Sequence, residues 1–355
     1  MTLLTKFLGL TKRYLGQKKA APTGASKALV GVAMPTQATE RWIEDGKNLK
    51  AHLSAKGYEV DLQYAGDDVM KQTSQIGTMI ANGAVALVIT SVNAAALSPV
   101  LQSAATKGVK ILAFDRLLTS TDCVDFYVSF DNFQVGVLQA RSLEEALGLS
   151  SGNSSFNVEL FGGAPDDNNA YLFYAGALSV LQPYLDQKQI VVPSNEFGMG
   201  QVSTVRGYST LAVSRMISLL TKHYQDRRLH AVLSPLDVMS IGILESLKAM
   251  GYGRSGRSLP FVTGQDADIA SVKSIVAKEQ YSTIFKDTRA LALLAANVVD
   301  ELLAGRMPAH DPAQSYDNKV KRVPSRLLHP VLVNASNYQE VLFDSGYFKS
   351  EQLPR

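Results

Sequence analysis

The sequence predicts an α/β protein with two consecutive halves, each built on a parallel sheet that is covered by helices on both faces. Short apolar runs alternate with longer stretches of helical periodicity from residue 28 onwards, and this alternation is typical of strand–helix–strand units. A second series of the same kind begins after Asp131 and Asn132. The apolar runs are continuous, as at 111–114, which indicates strands buried on both faces of a parallel sheet.

The first half is predicted to contain five strands separated by helices. Two of the helices end at glycine, Gly57 and Gly108, which is the residue favoured just beyond a helix end. Another follows Asp67 and Asp68, either of which can cap it. The predicted strands lie at 28–34, 58–64, 84–90, 110–114 and 126–130, and the two helices that end at glycine at 41–56 and 94–107.

The second half repeats the pattern and is followed by a tail. Its predicted strands lie at 157–161, 190–192, 231–234 and 261–263, and its helices at 133–147, 170–181, 211–223 and 239–250. The tail adds a strand at 281–285, a helix at 288–303, a polar loop up to residue 323 and a strand at 331–333. Because the tail continues after both halves are complete, we expect the chain to cross back between them.

Composition excludes several classes of protein. The chain has 355 residues, of which 46% are hydrophobic and 19% charged, and its net charge is only +3, which offers no electrostatic case for nucleic acid or anionic membrane as a partner. The single cysteine, Cys123, rules out an intramolecular disulfide or a cysteine metal site. The five histidines are scattered, and no run of about 18 apolar residues occurs. We therefore predict no metal, no cofactor and no membrane insertion.

The N-terminal segment is basic but is a poor secretory signal. Lys6, Lys12 and Arg13 interrupt any apolar stretch within it. Residues 20–27 are rich in small residues and proline, as in a flexible joint. We expect residues 1–27 to form a disordered leader.

Polar side chains follow most of the predicted strands. They are Glu40, Arg41 and Trp42; Asp115 and Arg116; Asp131 and Asn132; Asp166, Asp167, Asn168 and Asn169; Asp237; Gln265 and Asp266; and Lys286 and Asp287. The carboxyl ends of parallel strands meet at one edge of a sheet, where ligands bind in open α/β folds. Asp and Asn at these places can also simply cap the next helix, and for Asp166 and Asp237 taken singly, capping is at least as good an interpretation.

The mixture of acids, bases and amides suits a neutral polyhydroxylated ligand. A hydroxyl group donates and accepts, so it can be matched by carboxylates, guanidinium groups and amides together. The indole of Trp42 can lie against the apolar face of a sugar ring. An anionic ligand would call for an excess of cations instead.

Sequence motifs of common enzymes are missing. We find no G-x-S-x-G, Walker or H-E-x-x-H motif, and Gly162-Gly163 lacks the spacing of a dinucleotide site. The acids Asp166 and Asp167 could support acid–base chemistry, although adjacent acids in a loop are more often hydrogen-bond acceptors or caps. The alternative of a sugar-acting enzyme, with Lys286 or Asp166 as the catalyst, stays open but is disfavoured.

Several motifs in order carry a family resemblance. They are Glu40-Arg41-Trp42, Phe114-Asp115-Arg116, Ser129-Phe130-Asp131-Asn132, the loop 162–169, the segment 264–268 and the segment 323–328. Together they resemble the periplasmic sugar-binding proteins of ABC importers, in particular the xylose-binding and multiple-monosaccharide-binding subgroup. The resemblance extends from about residue 28 to the C-terminus.

The resemblance implies a type I periplasmic-binding-protein fold: two doubly wound parallel-sheet lobes that are joined by three crossovers and close on one aldopentose or aldohexose. The implied lobe boundaries are 28–131 for the N-terminal lobe and 132–264 for the C-terminal lobe, with 265–285 returning to the first, 286–325 to the second and 326–355 crossing both. Closure is expected about hinges near Asp131, Gly264 and Lys286.

The residues implied to contact the sugar follow from the matched motifs. They are Arg41, Trp42, Asp115, Arg116, Asn168 or Asn169, Asp237, Asp266 and Lys286. Trp42 would stack on the sugar ring, the cationic side chains would donate, the carboxylates would accept, and the amide would do both. The resemblance also implies a monomer in the periplasm that partners an ABC permease, with a sensor or chemoreceptor as a further partner.

Three departures from the family pattern stand out. The leader lacks a secretory signal, Gly207 occupies a place where the family tends to have tryptophan, and Leu236 stands where relatives offer a polar or tyrosine side chain. We expect that Gly207→Trp would tighten sugar binding, unless the neighbouring Tyr208 already supplies an aromatic ring to the sugar. A sugar-responsive regulator is a second function class, but it needs about 50–60 residues of helix-turn-helix before the first strand, and 27 residues precede Ala28.

Overall fold

The structure is a computed structural model that describes residues 27–152, 154–254, 256–312 and 315–353. The leader expected over residues 1–27 lies outside these ranges, apart from Lys27. Within the described ranges, none of the helices combines the length and apolar character needed to cross a membrane.

Strands and helices alternate along most of the chain. The strands are β1 (Leu29–Met34), β2 (Glu59–Tyr64), β3 (Ala86–Ile89), β4 (Lys110–Phe114), β5 (Phe126–Phe130), β6 (Phe156–Leu160), β7 (Ile190–Val191), β8 (Ala231–Leu233), β9 (Phe261–Val262), β10 (Ser282–Phe285), β11 (Tyr316–Asp317), β12 (Arg322–Val323), β13 (Ser325–Leu328) and β14 (Val331–Asn334). The helices are α1 (Glu40–Ala55), α2 (Val69–Ala81), α3 (Ser98–Thr106), α4 (Asn132–Leu147), α5 (Asn168–Asp186), α6 (Met199–Val202), α7 (Ser209–His223), α8 (Asp237–Ala249), α9 (Ile269–Val276) and α10 (Thr288–Leu303).

The first lobe is a six-stranded parallel sheet in the order β13-β5-β4-β3-β1-β2. Successive residues of β1 point to opposite faces, so Val30 and Val32 join the core beneath α1 and α10, whereas Ala33 joins the core beneath α2 and α3. Both faces of the sheet are therefore covered by helices, as the continuous apolar strands predicted.

The second lobe has a four-stranded parallel sheet in the order β7-β6-β8-β9. Its two faces are also covered, one by α4 and α5 and the other by α7 and α8. The predicted α/β fold with two parallel-sheet lobes is confirmed. The short elements β11, β12, β13, α6 and α9 were not predicted, because none is long enough to show a clear periodicity.

The chain crosses between the lobes three times. Two of the returning segments, however, lie in the opposite lobe from the one predicted. Segment 265–285 stays with the second lobe, where β10 pairs with β14 and packs against α4. Segment 286–325 belongs to the first lobe, because α10 packs against α1 and beneath the first sheet. An amphipathic helix can cover either sheet, so its sequence pattern does not reveal which one it covers. The crossings lie near Asp131, at Lys286–Asp287 and at 329–330, and not near Gly264.

Helices α4 and α5 approach each other to backbone contact. A Cβ atom at Gly136 would lie 1.8 Å from the carbonyl oxygen of Phe173, and one at Gly176 would lie 2.0 Å from that of Phe133. Two glycines thus allow the helices to touch, and this contact fixes the N-terminal part of α5, which carries Asn169 and Phe173 towards the first lobe.

Candidate functional site

A cavity of about 110 Å³ lies between the two lobes. Most of its walls are formed where the chain leaves the carboxyl ends of β1, β4, β6, β8, β9 and β10, as expected for an open α/β fold. The described residues that line it are Thr39, Arg41, Trp42, Asp115, Arg116, Gly163, Ala164, Asp167, Asn169, Ala170, Phe173, Arg206, Gly207, Leu236, Val238, Gln265, Asp266, Asp268 and Lys286.

Arg41 is the centre of an ion-pair network that joins the lobes. It lies in the first turn of α1 and is 8% exposed. Its guanidinium group is paired with Asp115, with Asp45 at 3.4 Å and, across the cavity, with Asp266 at 3.3 Å. Burial opposes the charge, but the three carboxylates together raise the pKa of Arg41 above its ordinary value. Arg41 is therefore a permanent cation held from both lobes.

Asp45 lies one helical turn behind Arg41 and is fully buried. Neither oxygen of its carboxylate has a hydrogen-bond partner among the residues that the structure describes. Burial raises the pKa of Asp45 to about 7, although the charge of Arg41 acts in the opposite direction. Near neutral pH this carboxyl group is consequently divided between its charged and neutral forms.

Asp115 follows β4 and holds its position through its own backbone. It adopts a left-handed conformation with φ of 60°, which aspartate tolerates better than most residues. Its carbonyl oxygen accepts hydrogen bonds from Tyr127 at 2.7 Å, Ser129 at 2.9 Å and the amide of Asn169 at 3.0 Å. Although burial opposes it, the charges of Arg41 and Lys286 lower the pKa of Asp115, so it is an acceptor.

Trp42 and Arg116 are two further residues of the first-lobe wall. The guanidinium carbons of Arg41 and Arg116 lie 4.7 and 5.3 Å from the centre of the Trp42 ring, within the range of cation–π contacts. Arg116 donates to the carbonyl oxygen of Ser91 at 3.0 Å and faces Asp167 of the second lobe at 3.4 Å.

The second lobe contributes a cation–acid pair next to the first-lobe network. The ammonium group of Lys286 lies 2.8 Å from the carboxylate of Asp266, and Lys286 is buried. Asp266 has a positive φ of 97°, so the loop that carries it is strained. Asp268 lies two residues after Asp266. Its burial raises its pKa to about 7, and the neighbouring charges of Asp266 and Glu40 act in the same direction.

Seven of the nine residues predicted to contact a ligand line this cavity. They are Arg41, Trp42, Asp115, Arg116, Asn169, Asp266 and Lys286. The other two, Asn168 and Asp237, are absent from its described lining. Asn168 is the half-buried first residue of α5, and the side chain that reaches the cavity is that of Asn169.

The structure corrects the expectation for Asp237. Its carboxylate accepts hydrogen bonds from Gln280, Thr283 and the backbone N–H of Asp268. It therefore holds the loop that carries Asp266 and has no free oxygen directed at the cavity. In the sequence, a residue that supports a ligand-binding loop and one that contacts a ligand look alike.

The sequence pattern missed Arg206, which lies in a short turn and follows no strand. Arg206 lines the cavity and donates to the carbonyl oxygen of Asp67, in the first lobe, at 2.9 Å. Both residues have positive φ, 53° for Arg206 and 61° for Asp67. The contact therefore joins two strained turns across the mouth of the cavity. Phe173 was also missed, because it is a buried aromatic residue inside a helix and looks like core.

The positions of Gly207 and Tyr208 bear on whether the second lobe can supply an aromatic ring to the cavity. Tyr208 is 49% exposed and is not among the described residues of the cavity wall, so it does not supply a second ring there. Gly207 has a φ of 66°, and a Cβ atom on it would lie 2.7 Å from Leu236. A tryptophan at this position would be strained and would displace Leu236, so Gly207→Trp should not tighten binding.

Comparisons with known proteins agree with this arrangement. Residues 30–307 match the model of the periplasmic binding protein domain. The chain belongs to this family. It is 52% identical to the multiple sugar-binding periplasmic receptor ChvE of Rhizobium radiobacter, over 93% of each chain, and 35% identical to the D-xylose-binding periplasmic protein of Escherichia coli, also over 93% of each. The resemblance inferred from the motifs is confirmed.

Solved structures show the same fold with sugars bound. An ABC transporter solute-binding protein from Clostridium phytofermentans with bound β-D-glucose has a TM-score of 0.87 and 43% identity, and the match covers 92% of this chain and all of that one. A carbohydrate transporter solute-binding protein from Chloroflexus aurantiacus in complex with D-glucose has a TM-score of 0.84 and 29% identity, with coverage of 93% and 99%. The type I periplasmic-binding-protein fold is thus established for the chain.

Proposed function

We propose that this protein binds one neutral monosaccharide, an aldopentose or aldohexose, in the interlobe cavity and delivers it to the permease of an ABC-type importer. The observation that carries the proposal is the network around Arg41, Asp115, Asp266 and Lys286, in which donors and acceptors from both lobes face one cavity. Relatives named as sugar-binding and xylose-binding periplasmic proteins support it, and they also support a periplasmic location.

The charges of the cavity favour a ligand without net charge. Its described lining holds four cations, Arg41, Arg116, Arg206 and Lys286, and four carboxyl groups, Asp115, Asp167, Asp266 and Asp268. Each cation is already paired with a carboxylate, so an ionic ligand would leave one charge uncompensated, which is costly in a buried site. Sugar hydroxyls can insert between such pairs because each one both donates and accepts.

Closure of the two lobes is the second part of the proposal. Contacts that cross between them include Asn169 with the carbonyl oxygen of Asp115, Arg206 with Asp67, Arg41 with Asp266 and Arg116 with Asp167. We assign these contacts to the closed form. Opening would require bending only at the three crossings, near Asp131, at Lys286 and at 329–330, because each lobe has its own core.

The protein acts as a carrier without catalysis, as a monomer, and it can also present its closed form to a membrane sensor. The receptor role is a second candidate because ChvE, 52% identical, is named a receptor. Both roles depend on the same sugar-bound closed form, so they share one site and differ only in the membrane partner.

A thermal-shift screen over neutral monosaccharides, sugar acids and amino acids tests the proposal. A ligand at a hundred times its dissociation constant stabilises the folded state by about 2.7 kcal/mol. We expect at least one neutral aldose to raise the unfolding temperature and to be recovered unchanged after incubation. Stabilisation by sugar acids or amino acids alone would contradict the neutral-sugar proposal, and recovery of a converted sugar would contradict the carrier role.

A further inference from the structure

Asp268 carries a carboxyl group that the fold itself does not use. It is the N-cap of α9, and aspartate is among the best capping residues, yet its side chain makes no capping hydrogen bond within the described part of the chain. Among the described residues, none donates a hydrogen bond to this carboxyl group, and no cation lies within ion-pair distance of it. A polar group that breaks a local rule in this way calls for another role.

The carboxyl group lies among the polar groups of the interlobe cavity. Asp268 lines that cavity. The charges that act most strongly on its carboxyl group are those of Asp266, Glu40, Arg41 and Lys286. Three of these four neighbours line the same cavity. Of the four carboxyl groups in the described lining, the other three are each paired with a cation, so that of Asp268 is the one available to a ligand.

The backbone holds Asp268 firmly at this place. Its N–H group donates to the carboxylate of Asp237 at 2.9 Å, and the N–H group of Ala267 donates to the hydroxyl of Thr283 at 3.2 Å. The two residues before it, Asp266 and Ala267, both have positive φ, 97° and 54°. Strained backbone of this kind persists only where the surrounding contacts impose it, and it is common at ligand sites. The loop therefore presents the carboxyl group in a fixed position, which reduces the entropy lost when a ligand binds.

This placement is unfavourable for folding. Burial disfavours the charged form of Asp268, and the negative charges of Asp266 and Glu40 add to the effect, so that its pKa is raised to about 7. A buried group that costs stability and has no structural partner is typical of a binding site, where function outweighs stability.

Resting on the proposed function, we infer that Asp268 is a further sugar-binding residue and that its carboxyl group forms a hydrogen bond with a hydroxyl group of the bound aldose. Each hydroxyl group of an aldose both donates and accepts, so it can match the carboxyl group with or without its proton. The sugar supplies the partner that the fold withholds, and binding thereby compensates the cost of burying the group. Asp268 thus adds a hydrogen-bonding group from the second lobe to the network around Arg41.

Calorimetric titration of Asp268 variants tests the inference. The probes are the aldohexoses D-glucose and D-galactose and the aldopentoses D-xylose and L-arabinose, and the variants are compared with the sugar that the wild-type protein binds most tightly. We expect Asp268→Ala to weaken the binding of this sugar by about tenfold or more, because a buried hydroxyl group loses its partner. Asp268→Asn keeps a side chain of the same size that can donate and accept, so it should lose less affinity.

Glu40→Ala is the matched control for charge. Glu40 is exposed, its charge acts on Asp268, and it is not among the described residues of the cavity wall. The variant removes a negative charge near the site but no group of the wall, so it should change the affinity by less than about twofold. An equal loss in Glu40→Ala and Asp268→Ala would overturn the inference, because net charge would then explain both.

Thermal unfolding without sugar separates a sugar contact from a structural role. Above pH 7, Asp268→Asn should unfold at the wild-type temperature or higher, because it removes a buried carboxylate that lies among other acids. A clearly lower unfolding temperature would show that the fold uses this carboxyl group, and it would overturn the inference. Wild-type affinity in Asp268→Ala would also overturn it and would leave the proposed function standing. Failure of every aldose to bind the wild-type protein would overturn the proposed function itself.

Discussion

The two faces of the interlobe cavity differ in how their side chains are held. On the first-lobe face, Arg41 and Asp115 are buried and paired, and the carbonyl oxygen of Asp115 accepts three hydrogen bonds. On the second-lobe face, Leu236 packs against the core beneath α7 and α8, and Asp266 and Arg206 stand in turns with positive φ. Under the proposed function, the first face offers hydrogen-bonding groups that are fixed by burial, and the second offers groups that are carried on strained turns.

Removal of Arg41 should have the largest effect, because it leaves the carboxylates of Asp45, Asp115 and Asp266 without their common cation. Breaking a buried ion pair on one side costs about 3–5 kcal/mol. We expect Arg41→Ala to lower the free energy of unfolding by this order in denaturant titrations and to abolish sugar binding. Arg41→Lys keeps the charge and should lose less stability. An unfolding midpoint like that of the wild type for Arg41→Ala would contradict the central place of this network.

Arg116→Ala and Asp266→Ala test the two faces against each other. Each removes a charged hydrogen-bonding group worth about 1.5–3 kcal/mol, which corresponds to a loss of affinity of about 10- to 150-fold. Calorimetry should show that Arg116→Ala weakens the binding of every bound sugar, because Arg116 lines the cavity whichever sugar occupies it. Near-wild-type affinity in both variants would remove these residues from the site.

The pH dependence of stability should reflect Asp45. Its pKa rises from 3.8 to about 7 on folding, so between these values the folded state holds a proton that the unfolded state has released. Its contribution to stability is therefore complete below pH 3.8 and is lost as the pH rises towards 7, by at most about 1.4 kcal/mol per pH unit.

Asp45→Asn should flatten this slope in denaturant titrations at pH 5, 6 and 7. The pKa of Asp268 is also raised to about 7, so Asp268→Asn should flatten the slope in the same direction. A slope unaltered by Asp45→Asn would show that the carboxylate stays charged beside Arg41.

The contact between Arg206 and Asp67 should have the smallest effect on stability, since the Arg206 side chain is 37% exposed. Exposed ion pairs contribute about 0.2–1 kcal/mol. Because this contact crosses the cavity mouth, we expect Arg206→Ala to speed sugar release by about two- to fivefold in stopped-flow measurements. Lys47→Ala, which removes an exposed ion pair within α1, should leave the release rate unchanged. An equal rate in the two variants would mean that Arg206 does not restrain opening.

Most of the first-lobe face could be predicted from the sequence. Asp115 and Arg116 directly follow β4, and Arg41 and Trp42 lie in the first turn of the helix after β1. The carboxyl ends of parallel strands place such residues together. The sheets themselves were equally predictable, because strands buried on both faces are continuous apolar runs.

The second-lobe face was harder to predict, because its residues depend on tertiary contacts. Arg206 lies in a turn whose position is set by packing, and Phe173 looks like any buried aromatic residue of a helix. Asp237 and Asp266 both follow strands, yet hydrogen bonds from Gln280 and Thr283 satisfy the first and leave the second to face the cavity. The lobe that α10 covers was also undetermined, since both sheets offer an apolar face to an amphipathic helix.

A crystal structure with the sugar that gives the largest thermal shift is the most direct test of the proposed function. We predict a single sugar between the lobes, with its hydroxyls within about 3.2 Å of the carboxylates of Asp115 and Asp266 and of the ammonium group of Lys286. A sugar bound at another surface, or held in the cavity by one lobe alone, would contradict the account.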